Sequence, residues 1–112
     1  MIYHITQRTA WQEAQLKGYY EPQGYASDGF IHCSNREQLL STAHCYYADA
    51  KDLVVLCIDP TLAGAPVVYE NLTGGKELFP HLYGVLKLEA VLAAPLFTRD
   101  GDGNWQMPVD LV

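Results

Sequence analysis

The chain has 112 residues, 49% of them hydrophobic, and thirteen acidic against seven basic side chains give it a formal net charge of −6. This length suits one domain that can bury a core without disulfide or metal staples, and the acidic balance, with no Lys/Arg cluster, argues against electrostatic capture of bulk nucleic acid or an anionic membrane. Three cysteines without a CxxC pair, no apolar run near the ~18 residues of a membrane span, and an N-terminus without a basic-then-apolar leader predict a soluble, cytoplasmic protein with free thiols.

Ile2 to Thr6 reads as a first strand, with Ile2, His4 and Thr6 on one face and Tyr3 and Ile5 on the other. A helix follows, for which Thr9 and Gln12 form a capping box and Gly18 a stop. The aromatic, turn-rich stretch YYEPQGYASDG from Tyr19 lacks helical periodicity and is expected to be a loop with a short extended piece. It leads into a strand at Phe30–Cys33. Ser34 and Glu37 form the capping box of a second helix, along which Leu39, Leu40, Ala43 and Tyr46 or Tyr47 recur at helical spacing. His44 falls on that helix, where packing or a partly exposed face accounts for it. The run Leu53 to Ile58 is apolar at every position and predicts a central strand covered on both faces. A strand is expected at Pro66–Glu70, then a turn through Asn71, Gly74 and Gly75, then a short extended piece from Leu78 to Gly84, where Pro80 disfavours helix. Leu88–Pro95 fits a short helical turn or a strand. RDGDGN is a turn, and Trp105 to Val112 an edge strand or docked tail. Strands dominate and two helices fall in the N-terminal half, which predicts an α+β domain rather than alternating βαβ units.

Three of the four histidines, His4 in MIYHIT, His32 in GFIHCS and His81 in ELFPHLYG, lie in strand-like stretches between apolar or aromatic neighbours. Burying an imidazole without a partner costs free energy. Three such residues on separate elements therefore suggest one shared cleft. By alternation His32 shares a face with Phe30 and Ser34, and His81 with Phe79 and Tyr83. Mixed aromatic and polar faces suit a pocket in which a flat ligand stacks and an imidazole or hydroxyl orients it. Any one histidine alone is more readily a core residue bonded to a backbone carbonyl; the three together favour the cleft. Three imidazoles could also form a catalytic zinc shell, but HxH, HExxH and CxxC spacings are absent and no metal site is assigned. Glu70, at a strand end before a glycine-rich turn, could act as a general base or accept a ribose hydroxyl, or be an ordinary solvated residue. His32 and Cys33 point to opposite faces, which argues against a Cys–His nucleophile pair. Asp28, Ser27 and Arg36 flank the same strand.

The motifs MIYHIT, ASDGFIHCS, DLVVLCIDP, VVYENL and ELFPHLYGVLKLEAV, in this order, resemble the bacterial family called domain of unknown function 952, over residues 1–97, with 98–112 as a C-terminal turn and tail of the same domain. That family looks like a distant branch of the ADP-ribosyltransferase-like fold, which includes RNA 2′-phosphotransferases. The resemblance implies a compact single domain with an ADP-ribosyltransferase-like split β-sheet. In that superfamily an early strand carries an HGT-like motif that orients a ribose. YHIT, with His4 and Thr6, is similar to it, though Ile5 replaces the glycine. His32, followed by Ser34, matches the second motif. His81 stands where the third motif often carries the catalytic glutamate, so protein ADP-ribosylation is in doubt, and the basic residues of the phosphotransferases are not evident.

The expectation is a small-molecule or nucleotide ligand, with NAD or a related nucleotide as substrate, in a histidine-lined cleft. The enzyme would be a transferase acting at a ribose or phosphate, using His4, His32 and His81 as catalytic residues and Thr6, Ser34, Tyr83 and Glu70 for ligand binding. Two alternatives stay open: a non-catalytic metabolite-binding module, and a structural or interaction domain with internally satisfied histidines. Turnover separates the first from the enzyme; the mutual distances of the imidazoles bear on the second.

Overall fold

Strand β1 (Ile2–Gln7) runs without a break into helix α1 (Arg8–Lys17) in the computed structural model, which describes residues 1–71 and 75–112. The turn glycine expected at Gly74 lies outside the described residues. After α1 come β2 (Tyr19–Tyr20), a one-turn helix α2 (Tyr25–Asp28), β3 (Ile31–His32), a 3-10 turn (Arg36–Gln38) and helix α3 (Leu39–Tyr46). The elements described in the second half are strands, apart from one 3-10 turn: β4 (Leu53–Ile58), β5 (Val67–Glu70), β6 (Phe79–Leu82), β7 (Leu86–Lys87), β8 (Val91–Ala93), β9 (Leu96–Arg99) and β10 (Trp105–Gln106). A 3-10 turn (Leu88–Ala90) precedes β8, so the ambiguous Leu88–Pro95 stretch is both helical turn and strand. The result is a compact single-domain α+β protein with several antiparallel sheets and few helices.

β4 organises the packing. All six of its residues are buried, and its alternation splits them between two cores. Val54, Leu56 and Ile58 pack with Ile2, Ile31, Leu82 and Leu86, while Leu53, Val55 and Cys57 pack with Tyr3, Ile5, Leu39 and Phe97. Each buried aliphatic side chain contributes about 1.5–3 kcal/mol. β1 pairs antiparallel with β4 from Ile2↔Ile58 to Gln7↔Leu53, and the sheet continues through β9 to β10, with β8 also on β4. A three-stranded sheet runs β3-β6-β5, and β2 pairs with β7. The first two sheets meet at one backbone bridge: Tyr3 N–H donates to Ser34 C=O at 2.9 Å, and Ser34 N–H to Tyr3 C=O at 2.7 Å.

That bridge overturns one helix start. Ser34 is not an N-cap, because its backbone is committed to β1; Asn35 and Gln38 form the capping box one residue later. The Thr9–Gln12 capping box is also absent. Helix α1 starts at Arg8 without a side-chain cap, and Arg8 N–H is satisfied at 2.7 Å by Asp52 C=O. The stop at Gly18 is as expected: it sits at φ 93°, and its N–H donates to Ala14 C=O at 2.8 Å. The 19–29 stretch, expected to be non-helical, contains the single turn α2. Gly29 closes it at φ 79°, donating its N–H to Tyr25 C=O at 2.7 Å. One turn needs only a cap and no apolar stripe, which is why periodicity did not reveal it.

The C-terminal segment is both edge strand and docked tail. β10 pairs with β9, Trp105, Met107 and Leu111 pack on the second core, and the Tyr3 hydroxyl donates to Val112 C=O at 2.6 Å. Arg99 lies 3.9 Å over the Trp105 ring and donates to Ala48 C=O at 2.6 Å, tying the tail to the end of α3.

Candidate functional site

Strand register brings two of the histidines together. β3 and β6 pair so that His32 and His81 are direct cross-strand partners, where side chains on one face necessarily meet. Their ring centroids are 5.3 Å apart, edge to face. Phe30, two residues before His32, stacks on His81 at 4.2 Å and 19°, and meets His32 edge-on at 4.7 Å. The face shared by Phe30 and His32 is therefore real, and it lies against His81.

β5 supplies the carboxylate. It pairs with β6 from Val67↔Leu82 to Glu70↔Phe79. Glu70 Oε1 accepts from His81 Nδ1 at 2.9 Å and also from the Tyr83 hydroxyl. Those two bonds, Tyr83 first, hold the Glu70 carboxyl below its ordinary pKa, and the same contact pushes the Tyr83 phenol up. With Nδ1 donating to a carboxylate, His81 Nε2 is left without a partner among the described residues, on a ring only 5% exposed. This is a carboxylate–imidazole dyad of the kind that holds one tautomer and leaves the other nitrogen for proton transfer.

His4 is differently committed. Its Nδ1 donates to the backbone carbonyl of His32, and its Nε2 lies 2.8 Å from the Tyr20 hydroxyl, which is 2.9 Å from Thr6 Oγ1. Burial pushes the His4 pKa down to about 4, so the ring is neutral near pH 7. A neutral ring that donates through Nδ1 accepts through Nε2, which makes the Tyr20 hydroxyl its donor. Burial also raises Tyr20 to about 12. His4 thus has both nitrogens satisfied, the arrangement of a structural imidazole.

His32 corrects the expectation of three enclosed imidazoles. Its side chain is 64% exposed and its Nε2 lies 3.1 Å from Asp28 Oδ2, at the end of α2. The strand ends at His32 and the sheet covers only one of its sides, so apolar sequence neighbours do not imply burial.

All three histidines nevertheless line one cavity of about 460 Å3, together with Ser34, Glu70 and aromatic walls from Tyr46, Tyr47 and Phe79. That volume is in the range of small-molecule sites. Thr6 does not line it. With Tyr20, it lines a second, more polar cavity of about 530 Å3, and His4 lies between the two. Tyr83 reaches the first cavity only through Glu70. Ser34 Oγ is 3.3 Å from Thr42 Oγ1. Cys33 is buried and its thiol is raised to about 12, which removes it as a thiolate nucleophile. Among the described residues no three His, Cys, Asp or Glu side chains converge as a metal shell.

Sequence reasoning missed Tyr20 and the Tyr46–Tyr47 wall, because long-range packing places them. Asp28 carried one signal, its position four residues before His32.

A family described as "Protein of unknown function (DUF952)" matches residues 5–94, a stretch that holds His32, Glu70, His81 and Tyr83 but not His4. Among solved structures, protein CC0527 from Caulobacter crescentus is similar. Two crystal structures of it, one a double mutant, share 34% identity and a TM-score of 0.81, covering 94% of this chain and 92% of that one. Its solution NMR structure has the same identity and TM-score, covering 94% and 90%. No curated protein matches.

Proposed function

Because this chain belongs to the DUF952 family, whose description assigns no activity, we propose its function from the site: a small enzyme that binds a nucleotide or NAD-like ligand in the histidine-lined cavity and acts at its ribose. The observation that carries this reading is the Glu70–His81 dyad, whose Nε2 has no partner among the described residues and lies on the wall of a ligand-sized cavity. In the reaction, His81 Nε2 takes a proton from water or an acceptor hydroxyl as that oxygen bonds to the ribose anomeric carbon. The carbon–nitrogen bond breaks, its electron pair leaves with the heterocycle, and the proton is later released from His81 to solvent. Glu70 holds the ring and stabilises the imidazolium; Tyr83 holds Glu70. His32, at the mouth, contacts the leaving heterocycle. Ser34 offers a hydroxyl to the ligand. His4, on the cavity wall with both ring nitrogens bonded, and Thr6, behind it, act through Tyr20 to position the strand that carries them.

The fold that goes with this reading is an ADP-ribosyltransferase-like split sheet, divided at the Tyr3–Ser34 bridge. Glu70, donated from the neighbouring strand, supplies a carboxylate that His81 displaces from the position suggested by the motif resemblance. Free Cys33, Cys45 and Cys57 suit a cytoplasmic setting.

Calorimetry and turnover assays with NAD, ADP-ribose and 2′-phosphorylated nucleotides test the proposal. We expect binding, and product formation lost in His81→Ala by about 10²-fold or more, as for loss of a general base. Binding without product, unaltered beyond affinity by His81→Ala, would establish a non-catalytic binding module instead. Absence of binding by every ligand would sink both.

A further inference from the structure

The charge of the cavity wall limits what it can hold. Among the described residues, none that lines it is lysine or arginine, and the one fixed charge they bring is the Glu70 carboxylate. The two imidazoles that could add positive charge each face an acid: His81 is bonded to Glu70 and His32 to Asp28. Protonating both would only bring this group of four side chains to neutrality. The third imidazole, His4, has both ring nitrogens hydrogen-bonded. A phosphate or pyrophosphate drawn into this cavity would lose its hydration without meeting a cation, which is costly. The wall also carries three aromatic rings, Tyr46, Tyr47 and Phe79, alongside Ile5, Cys33, Ser34, Thr42 and the imidazoles. Aromatic faces next to a carboxylate attract a flat cation through ring quadrupole and charge alike.

We propose that the group recognised here is a phosphate-free N-riboside carrying a cationic heterocycle, and that any phosphate on a larger ligand stays in solvent. This rests on the ribose-directed reading above and names its substrate class. Breaking the bond from a cationic heterocycle to ribose also releases a neutral leaving group. No general acid is then needed at the ring nitrogen, and a single base suffices. His81, paired with Glu70 and buried in the cavity wall, is placed for that role, whereas His32 stands exposed at the mouth.

The test compares four ligands on the full chain by calorimetry: nicotinamide riboside, its uncharged dihydro form, its 5′-phosphate and NAD. We expect the cation to bind about ten-fold more tightly than the dihydro form, equivalent to one screened charge contact. The 5′-phosphate and NAD should bind no more tightly than the riboside. In Glu70→Gln the amide oxygen can still accept from His81, and the preference for the cation should fall to near unity. A 5′-phosphate or NAD that binds ten-fold tighter than the riboside overturns the inference while leaving the ribose reading intact. So does a dihydro form that binds the wild-type protein as tightly as the cation. If none of the four binds, the ribose reading fails and this inference with it.

Discussion

The three imidazoles differ in what their nitrogens are doing, and that difference decides their roles. His4 donates to the His32 carbonyl and accepts from Tyr20, and burial lowers its pKa from 6.5 to about 4. Between those two values the unfolded chain binds the proton and the folded protein does not, so stability rises with pH through this window. Folding free energy is therefore expected to be about 2–3 kcal/mol lower at pH 4.5 than at pH 7. Urea melts at the two pH values check this. Replacing His4 with Gln should flatten the dependence between pH 5 and 7. His81 is tested separately. With Glu70 holding Nδ1–H, nitrogen NMR shifts should report one dominant tautomer. Glu70→Ala should mix the tautomers and reduce any turnover about as far as loss of a general base does, 10²- to 10⁴-fold. A single tautomer that persists in Glu70→Ala would contradict the dyad.

At the scale of elements, β4 is where packing energy concentrates, because its two faces serve two cores. Leu56, which is 0% exposed, points into the first core with Ile31 and Leu82. Leu56→Ala should cost about 2–5 kcal/mol in equilibrium unfolding, the range for a buried leucine that leaves a cavity. Gly18 ends α1 at φ 93° with open space around it, so only backbone strain opposes a side chain there. Gly18→Ala is expected to cost about 1–2 kcal/mol, with no change in ligand binding. A neutral outcome would mean that the helix end rearranges. The 3-10 turn before α3 shows how neighbouring elements compete. Ser34 has the side chain of a good cap, yet its backbone pairs with β1, and the cap moves to Asn35.

Across the whole molecule, the site depends on the seam between two sheets. β1 carries His4, β3 carries His32, β6 carries His81 and β5 carries Glu70; the Tyr3–Ser34 bridge joins the first to the rest. The C-terminal tail braces the outer side of the same main sheet through Trp105, Leu111 and the Tyr3–Val112 bond. Truncation after Arg99 removes those contacts and uncovers Phe97, which packs against Trp105 with ring centroids 5.0 Å apart. A loss on the order of 3–5 kcal/mol is expected, comparable to truncating one buried tryptophan, and should appear as a melting temperature lower by 10 °C or more. A truncated chain that melts as the full one does would show that the tail adds nothing to the fold.

Local chemistry in the sequence determined the α+β composition, the doubly covered β4, the Gly18 stop, the turn at RDGDGN and the alternation that sets Phe30 beside His32. Each follows from side-chain period or from the φ preference of a single residue, and needs no knowledge of distant chain. Alternation could also place His32 and His81 on mixed faces. It could not say that they pair with each other, that Glu70 reaches His81, or that Tyr20 closes over His4. Those facts depend on strand register and on contacts between residues 11 to 49 positions apart in the chain, where a shift of one residue would turn every side chain to the opposite face. Tertiary structure alone decided which imidazole is locked inside, which stands at the mouth, and which is buried against Glu70.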